Sequence, residues 1–301
     1  MSAEKNLGAS IRARLLNRAK SEGLEFNRLL TRFALERILY RISISEHADR
    51  FMLKGALLFD LWFDVPHRPT RDIDLLGFGP ADLDALEAAF RDLCAIDSQD
   101  GIRFDPESVK ANEIRKEANY GGIRVTLIGR IDGARCSVQV DIGFGDAVVP
   151  APEDVVYPVF FDHLPAPKLR AYPRYTVVAE KLQALTALGI ANSRMKDYFD
   201  LWVLAEHARF DGAVLSEAIA ATFARRGTTL PRATPLGLSE EFAHDAQKQV
   251  QWQAFLRRNQ LGEVEFGKVV ARLEGFLMPP ATAVAHGDLW RGEWRAGEDW
   301  R

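Results

Sequence analysis

The chain has 301 residues, with 39 Lys and Arg against 42 Asp and Glu, and a formal charge of −3. This balance, with 47% hydrophobic and 27% charged residues, places it among soluble globular proteins and gives no overall electrostatic footprint for a polyanion. The N-terminus lacks an apolar signal core and no stretch approaches the roughly 20 apolar residues of a membrane span, so no membrane partner and a cytoplasmic location are expected. Cys94 and Cys136 show neither metal-ligand spacing nor a disulfide framework and read as small buried hydrophobes.

In chain order, Ile11, Leu15 and Leu16, then Leu29, Leu30, Phe33, Ala34, Ile38 and Leu39 recur at helical spacing, predicting two helices separated near Gly23. Their polar face carries Arg12, Arg14, Arg18, Lys20, Arg28, Arg32, Arg37 and Arg41. Such a face is either solvated or a groove for an acidic partner. From about Phe51 the texture changes to short strands. "RFMLK" reads as a strand, "GALLFDLWF" as the helix after it and "TRDIDLL" as the next strand, followed by a helix with Pro80 near its start. "GIRVTLIGRIDGARCSVQVDIGFGD" predicts a hairpin about an Asp132-Gly133 turn, with Cys136, Val138, Val140 and Ile142 on one face and Ser137, Gln139 and Asp141 on the other. Beyond Tyr172 the pattern is helical: "TVVAEKLQALTALG" and "SRMKDYFDLWVLAEHA" form a pair, and "LSEAIAATFARRG", "SEEFAHDAQKQVQWQAFLRRNQL" and "EVEFGKVVARLEGFL" follow. The expected organisation is N-terminal helices over 1–47, a core over 48–168, a helical domain over 169–278, and a tail over 279–301 that is disordered or docks on a neighbour.

Asp72 and Asp74 stand two apart on a predicted strand, so both carboxylates point to one face and repel each other unless a cation lies between them. Mg²⁺, or Mn²⁺ in its place, suits oxygen ligands. Asp141 is a third carboxylate arriving on a separate strand. Three such groups are what a metal-dependent phosphoryl or nucleotidyl transfer site requires. Lys54-Gly55-Ala56 joins a strand to a helix start, offering backbone N–H groups to a phosphate, and Arg68 and Arg71 flank the aspartates as candidate triphosphate ligands. Further along, Lys181 with Asp197 and Asp200, three apart on one helix face, reads either as a helical ion-pair network with Arg194 and Lys196 or as a phosphate-binding lysine with an orienting aspartate.

"LKGALLFDLWFDVPHRPTRDIDLL", "VDIGFGD", "AEKLQAL" and "RMKDYFDLWVL", in this order and spacing, resemble the nucleotidyltransferase toxins of the AbiEii/AbiGii family, which include MenT-type toxins of toxin–antitoxin systems; the likeness runs from about residue 25 to 275. The resemblance implies an α/β (α+β) fold: a DNA-polymerase-β-like nucleotidyltransferase core with a mixed sheet, an N-terminal helical segment and a C-terminal helical domain. It implies Mg²⁺-dependent transfer of NMP from an NTP, in some members to the 3′ end of tRNA with a block on translation, and restraint by a cognate AbiEi-type antitoxin. By position it assigns Asp72 and Asp74 to the metal pair, Asp141 to the third acidic position, Lys181 to the essential lysine and Asp197 or Asp200 to the late aspartate. The family's Gly-Gly, or Gly-Ser in related transferases, is Gly55-Ala56 here, which keeps the N–H but lacks a hydroxyl for phosphate. An RNA acceptor would need a basic track, for which the N-terminal arginines with Arg225, Arg226, Arg257 and Arg258 are candidates. Competing readings are a transferase acting on a small molecule or protein, an Asp-x-Asp glycosyltransferase, and an inactive nucleotide-binding module.

Overall fold

The two N-terminal apolar patterns form α1 (Ser2–Glu22) and α2 (Phe26–Ile44) in a computed structural model, which describes residues 2–63, 68–115 and 121–301. Gly23 takes a left-handed φ of 65° and ends α1, as the break in the pattern requires. By contact the chain divides into two units, Met1–Gly145 with Glu153–Ala171 and Asp146–Pro152 with Tyr172–Arg301.

The first unit is built on a seven-stranded mixed sheet: β1 (Phe51–Lys54), β2 (Asp72–Gly77), β3 (Arg103–Arg115), β4 (Gly121–Ile131), β5 (Ala134–Phe144), β6 (Glu153–Val156) and β7 (Lys168–Ala171), in the order β3-β4-β5-β2-β1-β7-β6. β2 lies parallel to β5 and antiparallel to β1, while β4 and β5 form the expected hairpin. Asp132 and Gly133 both hold positive φ, 42° and 78°, the geometry that matches a two-residue turn to strand twist. Ile73, Val138, Val140 and Ile142 are fully buried. Helices α2 and α4 (Leu83–Ala95) pack against each other and on the sheet, and the Asp82 carboxylate caps α4 by accepting the Ala85 N–H at 2.7 Å. Strands β3, β6 and β7 carry no strong alternation in sequence and were not among the predicted elements. Cys94 and Cys136 are buried as expected, and burial pushes their thiols up to about 12 and about 11.

Arg37 and Arg41 correct the sequence pattern. Rather than lying on the polar face of α2 they are buried, at 0% and 1% exposure. Arg41 donates to both carboxylate oxygens of Asp100, at 2.7 and 3.1 Å, and to the Ile102 carbonyl at 3.2 Å; Arg37 lies 3.3 Å from Glu36 and 3.7 Å from Asp100 and donates to the Pro165 carbonyl at 2.8 Å. Helical periodicity cannot see acids delivered by a loop far along the chain, and buried guanidinium groups persist only when so paired.

The second unit contains α5 (Arg174–Leu188), α6 (Met195–His207), β8 (Phe210–Asp211), α7 (Gly212–Arg225), α8 (Glu240–His244), α9 (Ala246–Asn259), α10 (Phe266–Ala285) and β9 (Glu293–Trp294). The long predicted helix over "SEEFAHDAQKQVQWQAFLRRNQL" is split at Asp245, whose carboxylate caps α9 by accepting the Lys248 N–H. Its core is aromatic: Tyr198 stacks on Phe242 at 5.6 Å and Trp252 on Phe266 at 5.1 Å, while the Trp252 indole N–H donates to the Val264 carbonyl. Helix α10 runs through Pro279 and Pro280, with Pro280 buried. Past it, Trp294 is fully buried and donates to the Ala205 carbonyl at 2.9 Å, and Trp300 donates to that of Phe276 at 3.0 Å. Among the described residues no helix is long and apolar enough to cross a membrane.

Candidate active site

Register aligns the first-unit candidates across four strands. Asp74 on β2 pairs with Asp141 on parallel β5; Lys54 on β1 pairs with Asp74 from the other side, and Arg124 on β4 pairs with Asp141. Directly paired residues share a sheet face, so Lys54, Asp74, Asp141 and Arg124 form one rank, two adjacent carboxylates flanked by a cation on either side. One step along the same face, Asp72 pairs with Gln139. Asp72, Asp74 and Asp141 are thus gathered on the face opposite Val138 and Val140, as the two-residue periods of β2 and β5 require.

Each carboxylate is held differently. The Thr70 hydroxyl donates to Asp72 at 2.6 Å. Asp141, 8% exposed, accepts from Arg124 through both oxygens at 2.8 Å, a fork-to-fork pair. That bond, joined by the charges of Asp141, Asp72 and Asp74, raises the Arg124 pKa against the opposing effect of burial. Arg124 is therefore the cation the carboxylate cluster draws in. Sequence reading missed it, although the signal was present: counting back from the Asp132-Gly133 turn, with Ile131 opposite Ala134, puts Arg124 opposite Asp141.

Gly55 explains the Lys54-Gly55-Ala56 turn in a way the sequence did not. Its φ is 78°, and a Cβ built there would lie 2.7 Å from both Cβ and Cγ of Asp74 and collide with its Oδ2. The backbone passes directly over the Asp74 carboxylate. The segment after it is a 3₁₀ turn, Gly55–Leu58, and a single α turn, α3 (Phe59–Trp62), too short for the strong helix dipole a full helix would lend. Arg71 is exposed and Arg68 half-buried on the approach to β2.

In the second unit, Lys181 on α5 donates to Asp197 at 2.7 Å and to Asp200 at 2.8 Å, and Arg194 lies 2.7 Å from Asp197. Both aspartates are 1% exposed. Burial pushes the Asp197 carboxyl up, but Lys181 and Arg194 outweigh it and hold it below the usual range. The ion-pair network is the arrangement seen, with both aspartates in it rather than one. Of the candidate basic track, Arg226 is engaged with Asp146 at 3.2 Å, Glu180 at 3.3 Å and Gln183 at 2.9 Å, while Arg257 and Arg258 are exposed.

A different cluster, unmarked in the sequence, joins Glu46, His47 and Asp92, whose ligand atoms lie within 4.8 Å of one another. The His47 Nε2 is 3.2 Å from Asp92, and both acids are exposed. Among the described residues the strand aspartates do not draw together as closely, because Asp141 turns to Arg124 and Asp72 to Thr70.

The family model described as nucleotidyl transferase AbiEii toxin, type IV TA system, matches residues 37–272. Two solved Helicobacter pylori structures, JHP933 and a protein designated a presumed nucleotidyltransferase, are each similar at 15% identity and a TM-score of 0.49, covering 88% of this chain and 95% and 98% of their own. No curated protein matches the chain.

Proposed function

This chain belongs to the AbiEii nucleotidyl transferase toxin family of type IV toxin–antitoxin systems and is a nucleotidyltransferase, and from that premise we propose that it transfers NMP from an NTP to an RNA, with the tRNA 3′ end as acceptor, so blocking translation until an AbiEi-type antitoxin restrains it. The observation that carries the reading is the pairing of Asp74 with Asp141 on parallel neighbouring strands, with Asp72 on the same face.

The donor set suits a divalent cation. Three carboxylates share one face; Asp141 already holds the Arg124 guanidinium, and the charges of Asp72 and Asp74 add to its stabilisation. Asp72, Asp74 and Asp141 would hold Mg²⁺ or Mn²⁺, which when bound lowers the pKa of an attacking hydroxyl and neutralises charge on the phosphates. In the transfer the acceptor hydroxyl oxygen bonds to the α-phosphorus, the α–β bridging bond breaks, pyrophosphate leaves, and the hydroxyl proton passes to a carboxylate or to water. Thr70 orients Asp72, and the Gly55 backbone fixes Asp74 by packing over it. Lys54, Ala56, Arg68 and Arg71 are assigned to nucleotide phosphates as donors on the same unit. Lys181 is assigned to phosphate on the family resemblance, with Asp197 and Asp200 setting its direction.

The test is incubation with total tRNA, Mg²⁺ and each labelled NTP, with Asp74→Asn alongside. Label at the tRNA 3′ end, from one NTP and only with intact Asp74, is expected. If a folded protein that binds NTP labels no RNA, the acceptor assignment is overturned and a small-molecule or protein acceptor takes its place.

A further inference from the structure

Three exposed arginines of α1 and α2 gather around one pair of rings. The guanidinium groups of Arg18 and Arg32 lie 5.0 and 5.3 Å from the Phe160 centroid, Arg14 lies 4.0 Å from that of Phe161, and the two rings are 6.3 Å apart. Phe161 is anchored against buried Phe33 at 5.7 Å. One turn from Arg32, Arg28 has its pKa lowered by burial and then by repulsion from Arg32, so positive charges crowd here even though Glu22 and Asp60 each pair with one of them. Arg18, Arg32 and Phe160 also line a cavity of about 70 Å³, closed by Glu36, Tyr157, Pro158 and Val159. That is room for about two waters, or for the non-bridging oxygens of one phosphate.

The wall of this cavity is unusual. Glu36 is 2% exposed; its Oε2 accepts the Phe160 N–H at 2.6 Å, while its Oε1, among the described residues, has no hydrogen-bond partner and lies 3.3 Å from the Arg37 Nε. A buried oxygen without a hydrogen bond is costly unless something donates to it. Burial pushes the Glu36 carboxyl up to about 7, against the pull of Arg37 and the Phe160 amide, so near neutral pH it carries only part of a negative charge and can itself donate.

We infer that the patch of Arg18 and Arg32 around Phe160 and Arg14 over Phe161, with Arg28 one turn from Arg32, is the surface that takes the phosphodiester backbone of the RNA, one phosphate seating at the cavity mouth between Arg18 and Arg32. The inference rests on the RNA-acceptor reading above and adds where the RNA is gripped. Guanidinium groups stacked on a ring keep their N–H edges outward, and those edges fit phosphate oxygens in pairs. Arg18 is steadied by Glu22 at 2.7 Å and Arg32 by Asp60 at 3.1 Å, and each leaves further N–H groups for a ligand. Because arginines cover the ring faces, the patch presents charge rather than a stacking platform. It grips backbone and positions the RNA without reading its sequence. An apolar core, the usual centre of a protein–protein interface, is what it lacks.

The test compares wild type, the Arg14→Gln/Arg18→Gln/Arg32→Gln triple variant and a Lys268→Gln/Arg291→Gln/Arg295→Gln triple variant that removes equal charge from other exposed sites. Binding of fluorescently labelled tRNA is measured by anisotropy over a salt series, with melting temperature and NTP binding in parallel. The patch variant is expected to bind at least tenfold more weakly at about 0.1 M salt, with a log–log salt slope shallower by about 2, as loss of three phosphate contacts predicts; the other variant stays near wild type. Equal losses in both triple variants, or wild-type affinity and slope in the patch variant, would overturn the inference. Unchanged RNA binding with lost capture of a co-expressed antitoxin would also overturn it, in favour of a protein partner. If the patch triple does not fold, the single Arg14→Gln and Arg18→Gln variants decide, each expected to flatten the slope by about 0.7. Failure of wild type to bind or label any RNA would instead sink the acceptor reading.

Discussion

Replacing Gly55 by alanine tests the placement of Asp74 most directly. At φ 78° an L-residue costs about 1–2 kcal/mol over glycine, and the added methyl would lie 2.7 Å from two carbons of Asp74 where ordinary contact begins near 3.4 Å. Relief needs the carboxylate or the turn to move by about 1 Å, and such overpacking costs about 1–3 kcal/mol more. A shift of that size at a reacting centre lowers rate by about 100-fold. Gly23→Ala is the matched control, since Gly23 has φ 65° and nothing within 4 Å of the built Cβ, so it carries the backbone strain alone. Urea denaturation should show Gly55→Ala destabilised by about 2–5 kcal/mol against about 1–2 for the control. Label transfer and Mn²⁺ binding should fall only in the former. If Gly55→Ala transfers label at the wild-type rate and loses no more stability than Gly23→Ala, the turn does not rest on Asp74 and the geometric argument for this rank fails.

Arg124→Gln leaves Asp141 buried beside two other carboxylates. The metal-free protein should lose about 1–3 kcal/mol, and added Mn²⁺ should raise its melting temperature more than it raises that of wild type; equal shifts would show that Arg124 and a metal do not share the cluster's charge. Glu36 titrates higher in the fold than in the unfolded chain, so the fold keeps a proton the unfolded chain gives up. Its contribution is complete below about 4.5 and is lost as pH rises to about 7, by up to about 3 kcal/mol. Urea midpoints of Glu36→Gln at pH 5.0 and 7.5 should lack this fall, and an identical fall in the variant would assign it elsewhere. Breaking the Arg41 and Asp100 pair by Asp100→Asn should cost about 3–5 kcal/mol, while replacing both partners by Met and Leu should cost less than the single change. A double replacement at least as damaging as Asp100→Asn would mean that shape rather than charge decides that site.

Much of the candidate site's geometry was legible because it is local. Asp-x-Asp on a strand, a hairpin about Asp-Gly with Asp141 on the polar face, and Lys181 with Asp197 and Asp200 at helical spacing all follow from periods of 2.0 and 3.6 that the sequence displays directly. The same order of motifs carried the family resemblance that the match over residues 37–272 supports. Helix α10 shows a limit of local signals. Pro279 and Pro280 each lack a backbone N–H and ordinarily end a helix, yet the helix continues, because Phe276, Leu277, Pro280 and Ala281 are buried along it and that burial offsets the lost N–H bonds.

What only the tertiary structure decided is which charges meet. Arg37 and Arg41 share the helical spacing of solvated arginines, and Asp100 is what buries them. Gly55 reads as a phosphate-loop glycine, and the nearness of its backbone to Asp74 supplies a different reason for it. Arg124 lies within a β-branched run and becomes the partner of Asp141 only through strand register. By itself the sequence determined which residues carry charge and which local periods they obey. Partnership between residues tens of positions apart depends on strand order and loop paths, set by the collective burial of the core, and no short window of sequence encodes it.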